Sequence, residues 1–109
     1  MWLTRSHVSL TNVTVRDSVD LTAYGHGLWC DQCLSLSVAN STFHNLTSLH
    51  GPAIKLERMI QAVTTITHST FSNNTAIESA GAMRLDNAGT VYISHSDFIG
   101  NKVEGVWRF

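Results

Sequence analysis

The feature that most constrains this chain is a repeat. Val63 to Asn74 reads V-T-T-I-T-H-S-T-F-S-N-N, and Val91 to Asn101 reads V-Y-I-S-H-S-D-F-I-G-N. Leu36 to Asn45 carries the same pattern, and a weaker copy starts at Val8. In each copy an apolar residue precedes an anchor by five positions: Leu10 and Val15, Val38 and Phe43, Ile66 and Phe71, Ile93 and Phe98. The anchors at 15, 43, 71 and 98 are separated by 28, 28 and 27 residues. A fixed period of this size signals stacked units, because so short a unit cannot bury its apolar face alone.

The local pattern says what the units are made of. Before each anchor, apolar residues alternate with Ser, Thr or Ala, as in Leu36-Ser37-Val38-Ala39, which is the period-two signature of a strand with one buried face. Helical repeats would need a 3.6-residue period, and Ile54–Val63, the nearest approach, is short. Propeller blades usually run to about 40 residues or more. Ser and Thr occur 12 times each, with seven Asn and one Pro, a bias against helix interiors. The expected fold is all-β, a parallel β-helix solenoid of about four coils of 27–28 residues, at roughly 8–35, 36–62, 63–90 and 91–109. Residues 1–7 read as a lead-in with no repeat partner.

Stacking makes each repeat position a column. Leu10, Val38, Ile66 and Ile93 form one, and Val15, Phe43, Phe71 and Phe98 form another. Leu28, Ile54 and Met83 form a third, with Cys30, Leu56 and Leu85 beside it, although the spacing from anchor to this strand varies between coils. Asn74 and Asn101 are expected as rungs of an interior ladder whose amides satisfy backbone groups above and below, a ladder broken at Leu46 and Ser18. The whole chain, 1–109, reads as one domain. Neither Met1–His7 nor Trp107–Phe109 looks like a solenoid cap, so a piece of a longer solenoid, or end-to-end self-association, is expected.

F-S-N-N-T-A at 71–76 followed by A-G-A-M at 80–83, F-I-G-N at 98–101, and Gly51-Pro52-Ala53-Ile54 give the chain a family resemblance. They resemble the polymorphic outer-membrane protein repeat, which pairs F-x-x-N with G-G-A-[I/L/V], and the wider pectin-lyase-like group of right-handed β-helices. No intact G-G-A-I occurs, and the likeness covers residues 36–105. The resemblance implies a right-handed coil and a surface-exposed, adhesin-like passenger region.

Several residues are candidates for chemistry. An acid follows each third-column pair: Asp31, Glu57 and Asp86. Stacked, they are the weak catalytic candidates, because clustered carboxylates can hold Ca²⁺ or act as an acid–base pair. Lys55 and Arg84, two positions before two of the acids, favour a neutralised, solvated edge instead. His68 and His95 share a repeat position above Asn40 and Asn12, but two imidazoles are too few for a closed metal site, and no metal is expected. His44 and His50 align with no other histidine. Cys30 and Cys33 form C-x-x-C without a βαβ context; Cys30 reads as a small core residue and Cys33 as a corner residue, free or loosely paired, and His26 adds only a third zinc ligand. Asn12, Asn40, Asn45 and Asn73 head N-x-Thr sequons, which are glycosylation candidates, although an Asn-x-Thr corner template would supply them free. The outward hydroxyls, among them Thr65 and Thr67, form no array regular enough for ice binding, because Ala39 and Tyr92 interrupt it.

The bulk properties close off other classes. A net charge of −1 makes no electrostatic case for nucleic acid, and no apolar run approaches a membrane span. The start has no signal-peptide core. The expected role is a non-catalytic cell-surface or secreted module, binding a surface ligand or polysaccharide or serving structurally. The alternative is a fragment of a polysaccharide lyase or glycoside hydrolase. No cofactor is expected beyond Ca²⁺ at the acids.

Overall fold

The computed structural model describes residues 2–20, 27–50, 53–79 and 81–103. Met1, His26, Gly51-Pro52, Ala80 and Trp107–Phe109, all used in the sequence reading, lie outside them.

The chain winds through three parallel sheets. The first coil contributes β1 (Trp2–Thr4), β2 (His7–Thr11) and β3 (Thr14–Asp20). The second contributes β4 (Leu28–Asp31), β5 (Ser35–Ala39) and β6 (Thr42–His50). The third runs through β7 (Ile54–Glu57), β8 (Val63–Thr67), β9 (Thr70–Ser72) and β10 (Thr75–Ser79). The fourth holds β11 (Met83–Asp86), β12 (Thr90–Ser94), β13 (Asp97–Ile99) and β14 (Lys102–Val103). Successive coils pair in parallel, giving one face of β1-β4-β7-β11, a second of β2-β5-β8-β12, and a third built around β3, β6, β9–β10 and β13–β14. Returning to the first face at β4, β7 and β11 makes about three full turns.

The registers put the repeat positions over one another. Leu10, Val38, Ile66 and Ile93 pair in sequence, as do Val15, Phe43, Phe71 and Phe98. Leu28, Ile54 and Met83 form the third column, with Cys30, Leu56 and Leu85 beside it. Residues Trp2–Thr4 are not a lead-in: Trp2, Leu3 and Thr4 pair with Trp29, Cys30 and Asp31. The core runs through the middle coils, where Val38, Phe43, Ile54, Leu56, Ile66 and Phe71 are fully buried.

Tight corners explain the rigid five-residue step. Asn12, Asn40, His68 and His95 all have positive φ at the turn between the second and third faces. Asp17, Asn45, Asn73 and Gly100 do so at the bend within the third face, and Arg5, Gln32, Arg58 and Asn87 between the first and second. Asn, Asp, His and Gly tolerate this left-handed conformation best, and they fill the first two of these corner columns, whereas the corner between the first and second faces takes Arg5, Gln32 and Arg58 before Asn87. The link from β7 to β8 is longer than its counterparts and turns twice, at Arg58 and Gln61. Gly89 (φ +72°) lies against it, and a Cβ there would meet the Met59 carbonyl oxygen at 2.4 Å.

Candidate functional site

The acids, the histidines, the cysteines and the sequons occupy different parts of the coil. The acids are on the first face. Asp31 pairs with Glu57 and Glu57 with Asp86, so the three stand in one column above Thr4. Each meets a cation. Arg58, at the corner after β7, reaches back one coil and holds both Asp31 oxygens, with Nε at 2.9 Å from Oδ1 and Nη2 against Oδ2. Its hydrogen bond to Asp31, reinforced by that carboxylate's charge, raises the guanidinium pKa above its ordinary value. Lys55 Nζ lies 3.7 Å from Glu57, whose Oε1 also accepts from Trp29 Nε1 at 3.2 Å. Arg84 Nε donates to Asp86 at 2.9 Å. Asp31 is 6% exposed, so its charge depends on Arg58 for compensation.

The column beside the acids is aromatic and cationic. Trp2 stacks on Trp29 with ring centroids 5.4 Å apart, and Lys55 Nζ sits 4.6 Å from the Trp29 ring centroid on the next coil. Both faces of the Trp29 ring are thus occupied from within the chain. This pair, and Arg58, were missed by sequence reasoning. The spacing of Trp2 and Trp29, one repeat length, was the available signal.

The histidines serve corners. His68 and His95 stack with centroids 4.9 Å apart and planes within 4°, both exposed. Parallel rings direct their lone pairs side by side rather than toward one ion. Among the described residues no group of three or more His, Cys, Asp or Glu is placed to hold a metal. His44 Nδ1 lies 2.8 Å from Ser72 Oγ, the residue paired with it in the coil above. Cys30 and Cys33 are joined in a disulfide across the left-handed Gln32, which corrects the reading of Cys33 as free or loosely paired. Cys33 Sγ also touches the Leu3 carbonyl oxygen at 3.4 Å.

Two ladders run inside the coil. Asn74 is fully buried; its Oδ1 accepts from Leu46 N–H at 3.0 Å, and its Nδ2 donates to Phe43 O and Asn101 Oδ1. Asn101 repeats the arrangement, with Nδ2 on Phe71 O and Oδ1 accepting Asn74 N–H. The second ladder is serine and was not anticipated. Ser41, Ser69 and Ser96 each donate Oγ–H to the carbonyl two residues back, while Oγ accepts the N–H of Val13, Ser41 and Ser69 respectively. Asn12, Asn40, Asn45 and Asn73 are exposed at their corners.

Compared with known families, residues 1–108 match the model described as right handed beta helix region. The chain belongs to the right-handed β-helix family. The handedness, which periodicity alone leaves open, comes with that membership. No curated protein and no solved structure gave a match. No helix among the described residues of this β-helix is long and apolar enough to cross a membrane.

Proposed function

We propose that this β-helix is a non-catalytic module of a secreted or cell-surface protein, adhesin- or passenger-like, whose rigid lateral faces engage a surface ligand or polysaccharide. The observation that carries this reading is the pairing of the acidic column. Asp31, Glu57 and Asp86 each meet a cation within the chain, so the carboxylates best placed for acid–base work or Ca²⁺ binding already have partners. The outward residues of the second face, such as Ser9, Ser37 and Thr65, are small and polar and suit a flat contact surface. The Cys30–Cys33 disulfide supports an oxidising compartment, and the four exposed sequons agree with it. The likeness of F-S-N-N and F-I-G-N to the polymorphic outer-membrane repeat supports a surface role, and the pectin-lyase-like likeness supports the polysaccharide alternative.

Stacking of a further rung, from a second copy, belongs to the same reading. Ile93 and Phe98, whose counterparts one coil down are fully buried, are 44% and 43% exposed. Incubation with a panel of polysaccharides, with and without Ca²⁺, tests the proposal. Binding without chain cleavage is expected. Cleavage abolished by Glu57→Ala or Asp86→Ala would replace it with the carbohydrate-active enzyme reading.

A further inference from the structure

The four sequons are arranged as two stacked pairs. Asn12 and Asn40 share the corner between the second and third faces, one coil apart; Asn12 N–H donates to Ala39 O, and Asn40 N–H makes the same bond to Thr67 O one coil on. Asn45 and Asn73 share the bend within the third face, continuing the pairing of His44 with Ser72. All four have positive φ, between 51° and 57°, and all four are exposed. Within each pair the two amides project from neighbouring coils, about 4.8 Å apart.

We propose that each corner is an N-glycan acceptor site that takes one glycan, on Asn12 or Asn40 at the first corner and on Asn45 or Asn73 at the second. The proposal rests on the extracytoplasmic part of the reading above. Transfer joins Asn Nδ2 to the anomeric carbon of a lipid-linked oligosaccharide diphosphate. The anomeric C–O bond breaks, the lipid diphosphate leaves, one amide proton is lost, and nothing is oxidised or reduced. The limit of one follows from spacing. Flat rings fill the coil-to-coil step in this molecule, with the Phe43–Phe71 and Phe71–Phe98 centroids 5.0 and 4.6 Å apart. A puckered pyranose with an acetamido arm and a second sugar attached is thicker than a phenyl ring, so two cores cannot stand on adjacent coils while the corner keeps its pairing. At the second corner Asn45 Nδ2 already donates to Asp17 Oδ1 at 3.0 Å, which favours Asn73 as the acceptor.

The test is secretion of the whole chain from eukaryotic cells behind a cleavable leader, followed by intact mass and peptide-level site occupancy of the protease-resistant pool. Because the leader imposes the compartment, the result reads corner geometry; the disulfide state of the protein from its own source tests the compartment separately. The expected pool carries at most two glycans, one per corner, with Asn73 more occupied than Asn45. Asn73→Gln should shift that glycan to Asn45, and Asn12→Gln with Asn40→Gln should remove one glycan. Protease-resistant molecules with three or four glycans, both residues of one corner modified on one molecule, or a secreted pool without glycan would overturn the proposal.

Discussion

Asn74 stands directly under Asn101, its Nδ2 2.9 Å from the Asn101 Oδ1, and the same buried amide also bonds two backbone groups of the coil below, Leu46 N–H and Phe43 O. Replacing it strands polar groups where water cannot reach. Asn74→Ala would leave Leu46 N–H without its acceptor and Phe43 O without this donor. Each buried group left unsatisfied costs about 1–3 kcal/mol, so a loss of about 3 kcal/mol is expected in urea unfolding. Asn74→Leu should fall nearly as far although it fills the volume. A Leu variant as stable as the parent would show that the ladder is packing and not hydrogen bonding.

Thr64 presents the reverse case. It is fully buried in a column with Val8, Leu36 and Val91, and its Oγ1 has no hydrogen-bond partner among the described residues. Thr64→Val keeps the shape and removes the unpaired hydroxyl. Thermal unfolding should show a rise in stability of about 1 kcal/mol. A drop would mean that the hydroxyl finds a partner, such as an internal water.

The phenylalanine column should be graded along its length. Phe71 is stacked on both sides and fully buried, whereas Phe98 is 43% exposed. Phe71→Ala should cost about 3–5 kcal/mol through lost transfer energy and the cavity left behind. Phe98→Ala should cost distinctly less. Equal losses in chemical denaturation would mean that Phe98 is covered in solution, for instance by a further rung.

These columns were legible in the sequence because the stretch from Leu10 to Ser18, and its copies, has no room to vary. A strand, a left-handed corner, an anchor and a second left-handed corner follow at fixed steps, so the period survives in the residues. The first face was harder to read. Trp2, Trp29, Lys55 and Arg84 stack in one column, but the connections before and after that face change length, most of all around the double turn at Arg58 and Gln61. The serine ladder at 41, 69 and 96 kept its period, yet Ser is common here and its hydrogen bonding has no hydrophobic signature. At the candidate site, the acids and the cations two residues before Glu57 and Asp86 could be read from spacing. The grip of Arg58 on Asp31 could not, because it crosses between coils from a corner of irregular length.

That contact gives the last prediction. Asp31 is almost wholly buried and Arg58 is its cation, so removing the arginine alone leaves a buried carboxylate uncompensated. Arg58→Met should therefore lower the unfolding midpoint. Adding Asp31→Leu removes the stranded charge, and the double variant should recover much of what the single one lost, a coupling visible in a double-mutant cycle. The polysaccharide assay divides the two readings of the column on the same proteins. A contact that only holds the corner shut leaves ligand binding unchanged in the double variant once it is folded. If the two substitutions simply add in stability, Arg58 does not compensate the Asp31 charge in solution; if the folded double variant loses binding, Asp31 belongs to a ligand site and its pairing with Arg58 is the resting state of that site.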